Sequence, residues 1–359
     1  MRKFLVVLLA LTMVISMFGC GGAAEEATDE GAATTEASDI SVAFIPKLTG
    51  NSFFESANVG AQDLAKEVGF ECVYSGNPEA SVANQVQVIN SAVQQGFNAI
   101  AISSVSPDGL NNALQAAKDA GVKVVCWDSD VQNDMRSLHV AQGTPDQLGQ
   151  MLVEMVVQQL PEDKKDSINY AWHYSSATVT DQNSWQVAGE AYIKETYPNW
   201  VNVAPDNYYS DQDAEKAVSV GESILKTHPD IDAIICNDST ALPGQAQAAE
   251  NLGLAGKVII TGFATPNGMR DFCKNGTVPV FGLWDCKVQG AMGAYLAYWL
   301  AAGNTFTVGD KIDIPTVGEV EVLPNTVLDP NAYTADDSGI VLLPERTIFT
   351  KDNIDEYNF

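Results

Sequence analysis

The chain has 359 residues, of which 46 are Asp or Glu and 19 are Lys or Arg, so its formal net charge at pH 7 is −27. A surface this acidic argues against nucleic acid and against anionic lipid as partners, because both carry charge of the same sign. It leaves room for a small anionic ligand, since a local basic site can outweigh the average field.

The N-terminus has the pattern of an export leader. Two basic residues precede an apolar run over residues 4–15, and the small Gly19 stands directly before Cys20. This order is typical of a signal peptide over residues 1–19, and a cysteine at the cut predicts lipid attachment at Cys20. An ordinary signal peptide and a freely periplasmic protein are the alternative, because the residues before Cys20 only partly match a lipobox. A membrane span is not predicted, since one needs about 20 apolar residues.

The segment after the leader, residues 20–39, consists almost entirely of Gly, Ala, Thr, Ser and acidic residues. It has too little apolar surface to form a core, so we expect a disordered, lipid-anchored tether. Residues 40–359 exceed the size at which a single hydrophobic core stops growing, and two domains are therefore expected. Removal of the leader would leave 17 basic and 46 acidic residues, a formal charge of −29.

Five cysteines follow Cys20, an odd number that cannot form a complete internal set of disulfides. Three of them lie in strand-like surroundings, where a thiol behaves as a small buried apolar group. None has the CxxC spacing of a metal or redox site. We therefore expect free structural thiols at Cys72, Cys126, Cys236, Cys273 and Cys286.

Short β-branched runs alternate with stretches of helical periodicity, in the order typical of βαβ units. The predicted strands cover residues 41–45, 71–74, 99–102, 122–126, 167–172, 233–236 and 258–261. The predicted helices cover residues 58–68, 81–95, 108–120, 147–159, 187–196, 213–226 and 287–302. Many strands carry continuous apolar runs, as expected for sheets covered on both faces. The pattern predicts a parallel α/β fold rather than a helical bundle or a β-sandwich.

The order of these units indicates two doubly wound lobes with the chain crossing between them more than once. We expect an N-terminal lobe made of residues 40–142 and about 283–320. The C-terminal lobe would consist of residues 143–282 and about 321–359. A cleft between two such lobes would gather loops from both.

Ligands of open parallel sheets bind beyond the carboxyl ends of the strands, so polar residues just after predicted strands are the site candidates. Such side chains can hold hydroxyl groups, and carboxylates make the stronger, charge-assisted hydrogen bonds. Lys47 is prominent because basic residues are rare in this chain, although an exposed surface lysine is the alternative. The polar candidates are Lys47, Asp128, Asp181, Gln182, Asn237 and Ser239. The aromatic candidates, which could supply flat apolar faces, are Phe53, Phe54, Phe263 and Trp284.

Two acidic pairs have competing interpretations. Asp128 and Asp130 resemble a metal-binding pair, but a hard cation needs more oxygen ligands than this run offers, so capping of a turn or binding of polar groups is favoured. Asp211 and Asp213 resemble part of a calcium loop, yet the remaining ligand spacing is absent and helix capping is favoured. A helix start is also predicted at Ser106, with a proline in the first turn.

No zinc-enzyme, nucleophile-elbow, phosphate-loop or dinucleotide motif is present, so neither catalysis nor a cofactor is indicated.

Several segments resemble the autoinducer-2-binding proteins of Lsr uptake systems (LsrB-like), within the larger group of type I periplasmic sugar-binding proteins. The resemblance covers residues 40–359. It is carried by the segments 43–48 (AFIPKL), 101–109 with its SPDG, 127–130 (WDSD), 142–145 (QGTP), 178–183 (TVTDQN), 281–285 (FGLWD) and 339–346 (GIVLLPER).

This resemblance implies a type I periplasmic-binding-protein fold that closes on a cyclic furanose form of dihydroxypentanedione and delivers it to an ABC importer. It implies ligand contacts at Lys47, Asp128, Asp181 and Gln182. The family's Pro-Asp-Ala is Asn237-Asp238-Ser239 here, so two contacts fall on Asn237 and Ser239. Asp285, which ends one matching segment, is a secondary pocket candidate. The expected partners are the ligand, a permease and a chemoreceptor, and the protein is expected to be a monomer.

Other functions stay open at this stage. If Asn237 and Ser239 reshape the pocket, the ligand would be ribose, rhamnose or a similar sugar. A sugar isomerase or hydrolase would need a general acid and base, for which Asp128 and Asp181 are conceivable. A transcriptional regulator fits poorly, because an export leader stands where a DNA-binding helix pair would be and the charge is strongly acidic.

Overall fold

The structure is a computed structural model that describes residues 36–359. The predicted leader, Cys20 and most of the predicted tether lie outside the described residues. The last residues of the tether segment contain a short 3₁₀ turn, Ala37–Asp39. Within the described part, no helix has both the length and the apolar character needed to cross a bilayer.

Nine α-helices lie within residues 36–359. They are α1 (Ser52–Val68), α2 (Val82–Gln95), α3 (Asn111–Asp119), α4 (Pro145–Val157), α5 (Thr180–Thr196), α6 (Ala214–Thr227), α7 (Ala241–Asn251), α8 (Pro266–Asn275) and α9 (Cys286–Ala301).

Sixteen strands alternate with these helices over the same residues. They are β1 (Ser41–Ile45), β2 (Glu71–Tyr74), β3 (Ala99–Ile102), β4 (Lys123–Trp127), β5 (Leu138–Ala141), β6 (Asn169–Tyr174), β7 (Val201–Asn202), β8 (Tyr208–Tyr209), β9 (Ala233–Cys236), β10 (Ile259–Gly262), β11 (Phe281–Leu283), β12 (Lys311–Ile314), β13 (Gly318–Glu321), β14 (Leu323–Pro324), β15 (Gly339–Leu342) and β16 (Thr347–Phe349).

Two sheets organise the molecule. The larger has seven strands in the order β14-β15-β5-β4-β3-β1-β2, parallel except for the β14–β15 pair. The smaller has five strands, with β10-β9-β6-β7 parallel in that order and β8 also pairing with β6. Two antiparallel pairs, β11–β16 and β12–β13, stand apart from them. The predicted parallel α/β architecture is confirmed.

The central strands are apolar on both sides because helices cover both faces of each sheet. Every residue of β3 (Ala-Ile-Ala-Ile) and of β9 (Ala-Ile-Ile-Cys) is buried. An apolar run of this kind is stable only when no side chain faces water, so these two strands form the cores of their sheets. Their carboxyl ends carry the loops that build the site.

One part of the predicted lobe division is wrong. Strand β15 lies in the segment assigned to the C-terminal lobe, but it pairs in parallel with β5 of the seven-stranded sheet, with Val341 opposite Val140. Strand β14, from the same segment, pairs antiparallel with β15 and therefore belongs to that sheet as well. The reason is that this apolar segment completes a sheet built mainly from residues 41–141, a pairing about 200 residues apart that local pattern does not encode. The remaining lobe boundaries stay a proposal.

Three predicted helix starts are displaced. Helix α1 begins at Ser52, capped by the Asn51 side chain, which accepts from Phe53 N at 2.9 Å. Helix α5 begins at Thr180, seven residues before the predicted start. Helix α3 begins only at Asn111, because the Ser106 hydroxyl accepts from Gly109 N at 3.1 Å in a separate turn. The first turns of α1 and α5 carry site residues and therefore lack the apolar periodicity that reveals a helix.

Helices α1 and α9 pack backbone against backbone. A Cβ atom added to Gly60 would lie 1.9 Å from the carbonyl oxygen of Lys287, and one added to Gly290 would lie 1.9 Å from that of Ala57. Only glycine permits this approach. The contact also brings together the N-terminal ends of the two helices, where Phe53 and Trp284 meet edge to face at 5.9 Å between ring centroids.

Candidate ligand-binding cavity

A small cavity lies where loops after strands of both sheets meet. It encloses about 30 Å³, close to the volume of one water molecule, so a larger ligand can enter only if the walls move apart. The lining residues are Lys47, Phe53, Phe54, Asp128, Gln182, Trp185, Gln212, Asn237, Asp238, Ser239, Phe263, Leu283 and Trp284.

Lys47 and Asp128 form a buried ion pair at the floor of this cavity. The Lys47 Nζ donates to Asp128 Oδ2 at 2.7 Å, and the two side chains are only 3% and 7% exposed. Lys47 is therefore not a surface lysine. Burial by itself would lower the pKa of its amine, but the carboxylates of Asp128 and Asp181 raise that pKa above its usual value. The amine is a fixed positive charge that donates into the cavity.

The Asp128 carboxylate is held by more than the lysine. Ser103 Oγ donates to it at 2.6 Å and Gln142 Nε2 at 2.8 Å. The backbone of Asp128 is left-handed, with φ of +63°, and its carbonyl accepts from His139 Nε2 at 2.9 Å. A non-glycine residue in this region is strained, and such strain is retained where surrounding contacts over-determine it. The Asp128 carboxylate is therefore held in one orientation by its surroundings.

Behind Asp128, an arginine anchors the same loop. Arg136 is fully buried and donates to both carboxylate oxygens of Asp130, at 2.9 and 2.6 Å. It also donates to Gly339 O at 2.8 Å, which ties the loop to β15. Burial would raise the pKa of Asp130, but the Arg136 guanidinium lowers it to about 2. Asp130 therefore serves in a structural ion pair with Arg136. Within residues 36–359, no group of His, Cys, Asp and Glu side chains suited to a metal ion is found.

Asp181, in the first turn of α5, lies beside this pair without lining the cavity. Its carboxylate accepts from Ser129 Oγ at 2.6 Å and from Gln142 Nε2 at 3.3 Å. Gln142 thus bridges Asp128 and Asp181, which come from loops of the two different sheets. Burial, opposed by Lys47 and assisted by Asp128, raises the pKa of Asp181 to about 6.

The raised pKa gives a pH-dependent stability. Because the folded pKa of Asp181 lies above its unfolded value of about 3.8, its stabilising contribution is complete below that value and is lost as pH rises through 6. We expect Asp181→Asn to gain free energy of unfolding relative to wild type at pH 7.5 and to gain about half as much at pH 5, which lies between the two pKa values. Urea unfolding at both pH values measures this. Ser184→Ala, a non-titrating change on the same helix, should shift both values equally. An equal shift for Asp181→Asn would contradict the prediction.

The opposite wall carries amide and carboxylate groups after β6 and β9. Gln182 Oε1 accepts from Ser175 Oγ at 2.8 Å, and Gln182 Nε2 donates to Asp238 at 3.4 Å. Asn237 Nδ2 donates to the carbonyl of Gln182 at 3.0 Å, whereas its Oδ1 is buried without a partner among the described residues. Ser239 Oγ donates to Asn51 at 3.4 Å. This wall therefore offers both donors and acceptors.

Four aromatic rings close one side of the cavity. Trp284 lies edge to face against Phe53, Phe263 and Trp185, with centroid separations of 5.9, 5.5 and 5.8 Å. Phe54 stands on the other side, with Lys47 Nζ 5.7 Å from its ring centre. The polar floor and aromatic side together suit a small ring compound with hydroxyl groups and an apolar edge. All four predicted aromatic residues line the cavity.

Direct hydrogen bonds also join the loops of the two sheets around the cavity. Asn51, after β1, donates to Thr240, after β9, at 3.2 Å. Ser52 and Thr265 hydroxyls lie 2.9 Å apart. These contacts and the Ser129–Asp181 bond hold the cavity shut in this conformation.

Two carboxylates have capping roles. Asp285 is exposed and caps α9 by accepting from Lys287 N at 2.8 Å, so its prediction as a pocket residue is wrong. Its side chain turns to the free N–H groups of the helix start, which is the usual preference of an N-cap aspartate. Asp213 accepts from Lys216 N at 2.7 Å and caps α6, which confirms helix capping over a calcium loop.

The five predicted thiols are confirmed as free cysteines. All are buried except Cys72, which is half-buried, and burial raises the pKa of each. They are inert apolar groups in the folded protein.

Several cavity residues were not predicted as site residues. Asp238 stands between two predicted candidates, Asn237 and Ser239, and Leu283 lies inside the segment 281–285 that carried the resemblance, so a sequence signal was present for both. Trp185 follows the helix pattern without distinction. Gln142, which donates to Asp128 without lining the cavity, begins the segment 142–145 of the resemblance. Gln212 was not recognised as a site residue, because it lies between Asp211 and Asp213, a pair that was interpreted as helix capping.

Comparisons with known proteins come from the sequence and from the structure. A family model described as a periplasmic binding protein domain matches residues 42–305. The structure of LsrB from Clostridium saccharobutylicum in complex with AI-2 is 64% identical, covers 89% of this chain and 100% of its own, and superimposes with a TM-score of 0.88. A solute-binding protein from Clostridium phytofermentas with bound L-rhamnose is 25% identical over 89% of this chain and 98% of its own, with a TM-score of 0.76. The D-ribose/D-allose-binding protein of Pseudomonas aeruginosa is 25% identical over 277 residues, 74% of this chain and 83% of its own.

Proposed function

Because this chain belongs to the periplasmic binding protein family, with the type I fold predicted from its sequence, we propose that it binds AI-2, the cyclic furanose form of dihydroxypentanedione. It would act outside the cytoplasm and pass the ligand to an ABC importer. Support comes from the 64% identity to an LsrB that was solved with AI-2.

The observation that carries this proposal is the buried cluster around Lys47. The Lys47 ammonium contacts Asp128 directly, and Gln182 lines the opposite wall of the cavity. Asp181 lies just behind the ion pair, where Gln142 joins it to Asp128. Apart from Gln142, these are the four residues at which the sequence resemblance implied ligand contacts. Carboxylates accept from ligand hydroxyls, the lysine donates to ring or hydroxyl oxygens, and the glutamine can do both.

Binding requires an exchange of partners. The Lys47–Asp128 pair must open to admit the ligand, and ligand hydroxyls then replace part of the hydrogen bonding that the pair loses. A ligand that lacks one hydroxyl would leave a buried charged group unsatisfied, which costs about 1–3 kcal/mol or more. Selectivity therefore arises from desolvated polar groups. No bond of the ligand is made or broken, so ligand released from the protein by heat should be chemically unchanged.

Asn237 and Ser239 are compatible with this ligand. The Asn237 amide nitrogen is already engaged with the Gln182 carbonyl, so its buried and unpartnered Oδ1 is free to accept a ligand hydroxyl. Among the described residues, the Ser239 hydroxyl has one hydrogen-bonding partner, a long contact of 3.4 Å to Asn51. Both side chains add hydrogen-bonding capacity at positions where the family pattern has proline and alanine.

The test is isothermal titration calorimetry of the purified protein with dihydroxypentanedione, ribose and rhamnose under identical conditions. Tight, selective heat from dihydroxypentanedione supports the proposal. If dihydroxypentanedione gives no heat of binding and one of the sugars does, the result favours the alternative function, a binding protein for ribose, rhamnose or a similar sugar. That alternative is supported by the relatives named for L-rhamnose and for D-ribose and D-allose.

We further propose that Cys20 carries a lipid that anchors the protein to the outer face of the cell membrane, and that the monomeric protein serves a permease and a chemoreceptor. Replacing Cys20 with Ala should move the protein from the membrane fraction to the soluble extracytoplasmic fraction, because the thiol that accepts the lipid is gone. Immunoblots of both fractions measure this, and Cys72→Ala serves as the matched control. Equal membrane association of wild type and Cys20→Ala would rule out the anchor.

A further inference from the structure

Gln212 occupies the point where the cavity opens to the outside. It lines the cavity together with Lys47, Asp128 and Ser239. It also lines a wide outer cleft of about 800 Å³, whose far side is formed by Pro78, Glu79 and Ala80. A ligand that reaches the ion pair by way of the outer cleft therefore passes this side chain.

The backbone holds Gln212 in an unusual conformation. Asp211 and Gln212 both have left-handed backbones, with φ of +52° and +60°, a conformation that is strained for a residue other than glycine. The turn is fastened at both ends, because Asp211 N donates to Ser175 O at 2.7 Å and Asp213 caps α6. Ser175 also holds Gln182 through its hydroxyl. The two glutamines are thus fixed to the same residue.

The Gln212 side chain is available to bind a ligand. Its backbone N–H donates to Ser210 Oγ at 3.3 Å, but its side-chain amide has no hydrogen-bonding partner among residues 36–359. Other polar lining residues such as Lys47, Gln182 and Asp238 all have such partners. A strained backbone that presents an unpaired amide at the mouth of a polar cavity is explained if that amide binds a ligand.

We propose that Gln212 is a specificity-determining residue that hydrogen-bonds the hydroxyl on the side of the ligand facing the outer cleft. This rests on the proposed function, since it assumes a hydroxyl-bearing ring in the cavity. The amide donates and accepts, so it recognises a hydroxyl in either orientation. It supplies the fourth side of a site whose other sides are the ion pair, the Gln182 wall and the aromatic rings.

The test compares Gln212→Ala and Gln212→Gly by calorimetry with dihydroxypentanedione, ribose and rhamnose. Loss of one hydrogen-bonding side chain should weaken binding about tenfold in both variants. It should also reduce the difference in affinity between dihydroxypentanedione and the two sugars. The glycine variant should melt at a higher temperature than the alanine variant, because glycine adopts the left-handed backbone freely. Asp211→Gly, a neighbour that lines only the outer cleft, should keep wild-type affinity.

The affinities of the variants and of wild type test the role of Gln212 separately from the proposed function. Variants that bind within twofold of wild type overturn the role of Gln212 while leaving the proposed function intact. Loss in the alanine variant but not in the glycine variant shows that backbone shape matters and the amide does not, which also overturns it. If wild type binds a sugar in place of dihydroxypentanedione, the proposed function fails, and the tenfold ratio for that sugar still decides the role of Gln212. Heat from none of the three ligands in wild type contradicts both.

Discussion

Replacing Asp128 with Asn is expected to lower the affinity for AI-2 by about 100-fold or more. The variant loses the charge that pairs with Lys47 and accepts from ligand hydroxyls, and each charge-assisted hydrogen bond contributes about 1.5–3 kcal/mol. Asparagine has the same shape and tolerates a left-handed backbone at φ of +63°, so the loop should keep its path. Calorimetry with dihydroxypentanedione gives the affinity, and circular dichroism shows whether the fold is retained.

Stability is also expected to fall in this variant. Lys47 would keep its buried position without its ion-pair partner, a change that costs about 3–5 kcal/mol when no other charge compensates. Asp181 and Asp238 both act on the Lys47 amine and should reduce that cost. Asp134→Asn, an exposed carboxylate nearby, is the matched control and should behave as wild type. A folded Asp128→Asn protein with affinity within threefold of wild type would remove Asp128 from the site.

Replacing Gly60 with Ala is expected to lower the free energy of unfolding by about 2 kcal/mol. The new methyl would lie 1.9 Å from the Lys287 carbonyl oxygen, which is backbone and cannot rotate away. Helices α1 and α9 would have to separate, and overpacking of this kind costs about 1–3 kcal/mol or more. Alanine returns only about 1 kcal/mol of helix propensity. Urea unfolding followed by circular dichroism measures the change.

The same substitution should weaken ligand binding. Phe53 at the start of α1 and Trp284 just before α9 share the aromatic side of the cavity, so separating the helices moves the two rings apart. Gly268→Ala in α8 is the control, because its methyl would meet the Thr265 hydroxyl oxygen at 3.1 Å and no backbone atom. A Gly60→Ala protein as stable as wild type would mean that the two helices adjust without cost.

The charges in the site also indicate which kind of ligand it can hold. Lys47 is the positive charge that acts on Asp128, Asp181 and Asp238 together, and the pKa of each of the last two is raised by burial. An incoming ligand with several hydroxyl donors can satisfy these carboxylates without adding charge. A neutral polyol therefore fits the electrostatics better than an anion does.

The sequence by itself determined seven of the sixteen strands found within residues 36–359, together with the polar candidates of the site. The bounds of β1, β2, β3 and β9 match their predictions to the residue, because short β-branched runs between polar segments carry local information. All six predicted polar candidates, including Asn237 and Ser239, could be named from their position in the loops after predicted strands. The resemblance added the ligand class, which no pattern of apolar residues encodes.

Only the tertiary structure decided which of these residues meet. Lys47 and Asp128 are 81 residues apart, and their 2.7 Å contact exists because β1 and β4 end on the same edge of one sheet. The pairing of β15 with β5 and the approach of Gly60 to Lys287 are likewise long-range. Gln212 gave no signal, since its left-handed backbone belongs to a turn that is held by the long-range hydrogen bond from Asp211 N to Ser175 O. Local pattern specifies elements, whereas burial energy summed over distant segments selects their arrangement.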